Sequence, residues 1–400
     1  MVYDVIVAGA GPAGAILAHT LASRGARVLL LERAVLPRAK PCGGGLPLKA
    51  VHSLPFDAST AFDLPAQGGI LAYRGQPLLK ATLDPPMGWF VVRERFDHLL
   101  AQRAVEAGAR LQESTPVSAV EETPEAIVAH TPRGPFVARL LAGADGVNSR
   151  VARSLGLLAG RETGLALAAD VRVSAQALEA QGGYATFDFG AVPHGYGWIF
   201  PKRDHLSIGV FRAAPEVGRS RNGVLLRQHL EAFVRSYPTL HGSTWLALRG
   251  HRIPLGGGHT RLHTRRALLV GDAANLADAW LGEGLAYAIR SAMIAAEVVL
   301  AALESAGQPD LSAYSERIWQ GIGRQFGYAR RFARLVYRAP RLGSLALSRS
   351  PRMQEAVFGA LRGDVTLEEL YRRVLRQAPR IMLQALNGRH KHPPEATIAG

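Results

Sequence analysis

The sequence predicts an α/β chain: a Rossmann-type dinucleotide domain, interrupted by an inserted, mostly antiparallel sheet and closed by a C-terminal helical region. Three observations predict it. The chain opens as strand, glycine turn, helix and strand. From about 162 to 260 it changes to alternating, aromatic-containing segments with frequent Gly and Pro, the pattern of an antiparallel sheet. Strand and helix return at 267–303, and helical periodicity broken by Pro and Gly runs from 306 to 400.

Taken in order, Tyr3 to Ala8 forms the first strand, Gly9 to Gly14 the turn, Pro12 to Arg24 the helix, and Arg27 to Glu32 the second strand. A helix over Glu94 to Ala107 then leads through Gly108 into short strands that end at Gly143 to Gly146. The expected division is a discontinuous dinucleotide domain over 1–60, 90–160 and 260–305. A substrate sheet covers 61–89 and 161–259, and helices cover 306–400.

With 48% hydrophobic and 20% charged residues in 400, the chain can bury one large core or two coupled ones. Tyr3 to Ala8 reads directly into structure, so secretion is not expected. The single cysteine, Cys42, cannot close an internal disulfide, and a reducing, cytoplasmic setting is expected. No membrane span is expected, because the nearest candidate, 285–303, carries Arg290 and Glu297. A net charge of +15 favours anionic partners: phosphorylated cofactors, lipid headgroups or nucleic acid. Without a nucleic-acid module, nucleic acid is not an expected partner. The arginine-rich stretch from Gly327 to Arg338 fits a basic amphipathic helix, either lying on an anionic bilayer or simply solvated. His259 and His263 stand four apart, and His390 and His392 share a Pro-containing tail, but neither pair is completed by cysteines or clustered acids, so no metal is expected.

Gly9, Gly11 and Gly14 have the G-x-G-x-x-G spacing directly after an apolar strand and at the start of a helix. Gly9 permits the turn, Gly11 lets backbone approach a pyrophosphate, and Gly14 lets helix and strand pack closely. Pro12 and Ala13 lie in the first helical turn, where free N–H groups and the helix dipole favour phosphate and a missing N–H costs nothing. Glu32 ends the second strand, placed to accept ribose hydroxyls, with Arg33 beside it for adenine or phosphate. This much suits FAD and NAD equally. A second glycine-rich helix start distinguishes them. An apolar strand ends in Gly271-Asp272, and Gly282, Gly284 and Leu285 open a long helix. Two remote helix starts suit the longer ligand, FAD, with Asp272 on a ribityl hydroxyl and 282–285 along the flavin edge.

Together with the N-terminal fingerprint, Arg93-x-x-Phe96-Asp97, Gly143-Ala-Asp-Gly-Val-Asn-Ser-Arg150 and Gly271-Asp-Ala-Ala274 resemble the flavoprotein group that includes para-hydroxybenzoate hydroxylase. Within it, Lys40-Pro-Cys-Gly-Gly-Gly45 and Gly195-Tyr-Gly-Trp-Ile-Phe-Pro-Lys202, followed by Asp204 to Gly209, resemble the geranylgeranyl reductase family. The resemblance implies a large sheet over the flavin and reduction of isoprenoid double bonds in a lipid, quinone or chlorophyll precursor. Carried over, it assigns Gly9, Gly11, Gly14, Glu32 and Arg33 to the adenosine half and Arg93 and Asp272 to the linker and ribityl region. Gly282, Gly284 and Leu285 would line the flavin, and the element around Asp145 would brace the phosphates. One departure is visible: where the family pattern carries a proline after Gly-Asp-Ala-Ala, Asp278 is followed here by Ala279.

Alkene reduction needs hydride from a reduced flavin, a proton for the other carbon, and a dry channel. Tyr196, Trp198 and Phe200 alternate on one strand face, with Pro201 following, and form the expected substrate wall. Cys42, between Pro41 and Gly43, is expected to approach the ring as proton donor or gate, the alternative being a small buried hydrophobe. Cys42, Tyr196 and Trp198 are the catalytic candidates, and Cys42 and Gly43 also count as cofactor contacts. The reductant would be NADPH or a protein donor, although no second nucleotide fingerprint is visible. Two other functions compete: an aromatic monooxygenase or halogenase on the same fold, and a non-catalytic membrane-surface flavoprotein.

Overall fold

The opening strand Val2–Ala8 is the hub of a seven-stranded sheet. It runs parallel to Val28–Leu31 on one side and to Gly134–Gly143 on the other. Arg110–Gln112 adds in parallel outside Val28–Leu31. Ala267–Leu269 lies parallel to the end of Gly134–Gly143, and the antiparallel strands Ile127–Thr131 and Ala119–Glu122 complete the sheet. The central runs are apolar and buried throughout, as expected of parallel strands covered on both faces. Helix Pro12–Ala22 packs against both Arg93–Glu106 and Leu285–Glu304. Its Ile16, Leu17 and Leu21 are fully buried, each contributing about 1.5–3 kcal/mol of transfer free energy.

This computed structural model describes residues 2–157, 161–213, 219–257, 260–305, 307–386 and 395–399. His259, His390 and His392 lie outside the described residues. Leu285–Glu304 is, contrary to the expectation drawn from Arg290 and Glu297, long and apolar enough to cross a membrane, with a mean hydropathy of 1.6. However, 67% of that window is buried, because the helix forms one wall of the dinucleotide-domain core.

The second sheet has eight strands in the order Thr244–Leu255, Glu162–Arg172, Leu206–Arg212, Gly195–Pro201, Tyr184–Asp188, Gly68–Tyr73, Gln76–Asp84 and Glu395–Ala399. Neighbours run antiparallel except at Tyr184–Asp188 with Gly68–Tyr73 and at Gln76–Asp84 with Glu395–Ala399. Helix Arg219–Arg235, which the Gly and Pro punctuation concealed, packs Leu226, Leu230 and Phe233 against one core of this sheet. A separate small sheet of Gly45–Pro47, Gly88–Val91 and Phe62–Ala66 straddles the boundaries expected near 60 and 90. The tail is helical through Leu367–Leu386, then ends on a strand, where Thr397 and Ile398 suit the open edge of Gln76–Asp84.

Candidate functional site

The glycine turn has two tight positions and one open one. Gly9 has φ +106°, and a Cβ there would stand 2.5 Å from the Ala144 carbonyl oxygen. A Cβ on Gly14 would lie 1.9 Å from the Gly9 carbonyl oxygen. At Gly11, by contrast, the nearest atom to a Cβ is an Arg38 guanidinium nitrogen, 3.7 Å away. Backbone closes around Gly9 and Gly14 and leaves room above Gly11, at the N-cap of Pro12–Ala22, where no side chain caps the helix N–H groups. That is the space a pyrophosphate needs. Ala13 is buried in the first turn, and a Cβ on Gly271 would meet its methyl at 3.0 Å, so the two glycine-rich segments touch here.

Glu32 is 3% exposed and accepts from the Ala10 N–H at 2.8 Å and the Ala34 N–H at 3.1 Å. Arg33 is exposed, whereas Arg38 stands at the turn, 3.4 Å from Glu32 and 3.2 Å from Asp97. The sequence reading passed over Arg38; its signal was a second basic residue in the segment that Glu32 opens. Asp145 turns its carboxylate to its own loop, accepting from the Ser149 hydroxyl and the Arg150 N–H, both at 2.6 Å. The neighbouring Ala144 carbonyl, not the Asp145 side chain, meets the glycine turn.

Further along the cleft, Arg93 is buried and donates to both Asp97 oxygens, at 2.7 and 2.8 Å. Burial opposes its charge, but Asp97 and the adjacent Cys42 raise its pKa above the ordinary arginine value. Asp272 pairs with Lys40 at 3.3 Å. Burial works against ionisation there too, yet Lys40 and His251 hold its pKa below the usual value. His251, on Thr244–Leu255, faces the same cleft with a buried Nε2 that has no hydrogen-bond partner among the described residues. Burial, then the charge of Lys40, bring it down to about 4. Sequence reading missed it because a single histidine in a strand carries no motif. Gly282 has φ +66°, and Gly284 caps helix Leu285–Glu304, so this loop and Leu285 line the same cleft.

Cys42 is half-buried, and its Sγ accepts from the Gly44 N–H at 3.3 Å. The following glycines are sterically required. A Cβ on Gly43 would stand 2.8 Å from the Phe200 ring and 3.0 Å from Trp198 Nε1, and one on Gly44 2.1 Å from the Val91 carbonyl oxygen. Lys202, 2% exposed, donates from Nζ to the Gly43 carbonyl at 2.8 Å and lies over the Phe90 ring. Burial pushes its pKa down to about 8.

Tyr196, Trp198 and Phe200 all face one cavity of about 220 Å³, whose walls also include Cys42, Arg93, His251, Asp272 and Asp278. The Tyr196 hydroxyl donates to the Leu281 carbonyl at 2.7 Å, and burial raises its pKa well above the usual value. Trp198 Nε1 is buried without a hydrogen-bond partner among the described residues. Pro201, expected on the substrate wall, instead ends the strand opposite Leu206 and is not among the cavity walls. Asp278 accepts from the Trp280 and Leu281 N–H groups at 2.8 Å and from Glu283 N–H at 3.1 Å. It thereby fixes the loop where the family pattern has a proline, and burial followed by nearby Glu283 raises it to about 6. A second cavity, of about 190 Å³, shares Phe187, Trp280, Leu281 and Leu361 with the first. Its remaining walls are almost all aliphatic or aromatic and come largely from 332–374.

Residues 2–320 match the FAD-binding domain family. The chain is also 30% identical over 358 residues to digeranylgeranylglycerophospholipid reductase 1 of Methanopyrus kandleri, covering 84% of this chain and 91% of that one. It belongs to the geranylgeranyl reductase family of FAD-dependent oxidoreductases. A second relative, menaquinone reductase of Mycobacterium tuberculosis strain H37Rv, is 31% identical over 360 residues, 83% of this chain and 84% of that one. Among solved structures, a geranylgeranyl bacteriochlorophyll reductase-like protein of Thermoplasma acidophilum shares the fold, with a TM-score of 0.75 at 22% identity, covering 96% of this chain and 99% of that one. The open glycine turn, the helix-start amides and the unpartnered His251 nitrogen fit FAD in this family's cleft.

Proposed function

We propose that this chain reduces carbon–carbon double bonds in the prenyl chain of a lipid or quinone. One observation carries the reading: an almost wholly apolar chamber meets the flavin cleft at Phe187, Trp280, Leu281 and Leu361. An aromatic hydroxylase needs no such annex, whereas a polyprenyl tail fills one. The names of the two relatives support lipid and quinone headgroups alike. Reduced FAD, when bound, supplies the hydride.

The chain's own side chains do the rest. The apolar walls hold an unactivated alkene and exclude water. Lys202 grips the Gly43 carbonyl and so holds the Cys42–Gly45 segment against Phe200 and Trp198. Cys42 is the proposed proton donor to the second alkene carbon. The Tyr196 hydroxyl is committed to Leu281, so Tyr196 serves as a positioning residue that ties its strand to the 278–284 loop. Trp198, whose indole N–H lacks a partner among the described residues and which lines the cleft, orients the flavin or the substrate. Gly9, Gly11, Gly14, Glu32 and Arg38 hold the adenosine half, and Arg93, Asp272 and 282–285 hold the remainder. NADPH or a protein donor provides the electrons, and the proposed setting is cytoplasmic, at an anionic membrane surface.

Mass spectrometry of ligands extracted from the purified protein tests this. FAD together with a prenylated lipid or quinone is the expected result. FAD accompanied only by an unprenylated aromatic compound would overturn the substrate reading.

A further inference from the structure

We propose that the face built by helices Arg324–Arg338 and Pro340–Arg349 docks on an anionic phospholipid bilayer, with the apolar chamber opening directly into the hydrocarbon. The inference rests on reading that chamber as a prenyl-chain site. Two chamber walls, Leu335 and Leu342, are also 43% and 55% exposed, so the chamber reaches the surface between these two helices. Leu375, 48% exposed, adjoins the chamber wall Val374 on the neighbouring helix. Large aliphatic side chains left in water at a cavity mouth mark a surface that something apolar covers.

Charge identifies what covers it. Residues 324–349 contain seven arginines and no aspartate or glutamate. Arg331, Arg334, Arg338 and Arg341 are exposed on the same two helices as the mouth leucines. The face of Arg324–Arg338 turned away from the chamber mouth is sequestered, with Phe326, Ala333 and Tyr337 buried. Nucleic acid satisfies the arginines but offers nothing to the leucines. A bilayer with anionic headgroups satisfies both: phosphates meet the guanidinium groups, and acyl chains meet Leu335 and Leu342. Docked in this way, a prenyl tail passes from the leaflet into the chamber without crossing water. Its headgroup stays in the polar layer of the leaflet, because the chamber is too apolar to admit it.

Vesicle co-sedimentation of the holoprotein tests the proposal, using phosphatidylglycerol vesicles against phosphatidylcholine vesicles. Since a net charge of +15 attracts anionic vesicles from every side, location is what the variants must resolve. Arg331→Gln/Arg334→Gln/Arg338→Gln/Arg341→Gln should weaken binding to phosphatidylglycerol at least about tenfold. The equally charge-reduced Arg24→Gln/Arg133→Gln/Arg153→Gln/Arg235→Gln, exposed elsewhere, should bind within about twofold of the parent. Leu335→Asp/Leu342→Asp should lose binding while retaining its FAD. Equal loss in both arginine variants, or none in the first, overturns the docking face. Reduction of a detergent-dispersed prenyl substrate is measured alongside. The first arginine variant should keep that activity, and an inactive parent that still binds vesicles through this face would refute the proposed reaction, not the docking.

Discussion

Gly11 and Gly14 separate ligand space from packing space within one turn. Gly11→Ala projects a methyl into the open region, so it should fold normally yet lose much of its FAD. Gly14→Ala drives a methyl into the Gly9 carbonyl and should cost about 1–3 kcal/mol or more, read as lost soluble yield or a lower Tm. Flavin absorbance per folded protein distinguishes the two. At Cys42, replacement by alanine should leave FAD content unchanged and slow alkene reduction; full turnover in that variant would remove the thiol from the mechanism. His251 makes a pH prediction. Its pKa falls from 6.5 to about 4 on folding, so between these values the unfolded chain binds more protons. The stability this group contributes is therefore complete above about pH 6.5 and is lost as pH falls through about 4, by at most about 3 kcal/mol. Urea melts of His251→Asn against the parent from pH 4 to 7 should show that slope flattened. At this scale, sequence singled out the residues marked by a fixed spacing: the three glycines, Glu32 and Asp272. It passed over Arg38 and His251, whose placement beside Glu32 and Asp272 comes from long-range packing.

In the loop 278–284, side-chain hydrogen bonds stand where the resemblance implied a proline. A proline restrains φ, whereas the Asp278 carboxyl gathers three backbone N–H groups around itself. Asp278→Ala leaves those donors buried and should cost about 1–3 kcal/mol, with FAD occupancy falling in parallel; Asp278→Asn keeps an acceptor and should restore most of the loss. Differential scanning calorimetry with flavin quantification reads both. Periodicity made the buried elements legible, since the apolar runs of the central parallel strands and the long helix near 285–303 are local patterns. It did not reveal Arg219–Arg235, which lies among Gly and Pro signals, or Glu395–Ala399, whose partner is more than three hundred residues upstream. Strand pairing across such a separation leaves no short-range signature.

Across the whole molecule, two neighbouring cavities share Phe187, Trp280, Leu281 and Leu361 as walls, the first with polar groups among its lining and the second almost wholly apolar. The division into a parallel-sheet domain, a large inserted sheet and a helical tail was readable from the order of patterns along the chain. The apolar chamber was not, because its walls come from two layers more than a hundred residues apart: Ile70, Leu71 and Phe187 on the sheet, and the helices from Phe332 to Val374. Each wall residue alone reads as core. The central claim, reduction of prenyl double bonds by this FAD-bound chain, is tested most directly under anaerobic conditions. The chemically reduced holoprotein is mixed with a detergent-dispersed geranylgeranyl lipid, and the product is analysed by mass spectrometry. The account predicts flavin reoxidation with one H₂ gained for each double bond reduced. An unchanged lipid beside persistently reduced flavin, with turnover appearing only when dioxygen is admitted and the product gaining oxygen or halogen, would contradict it.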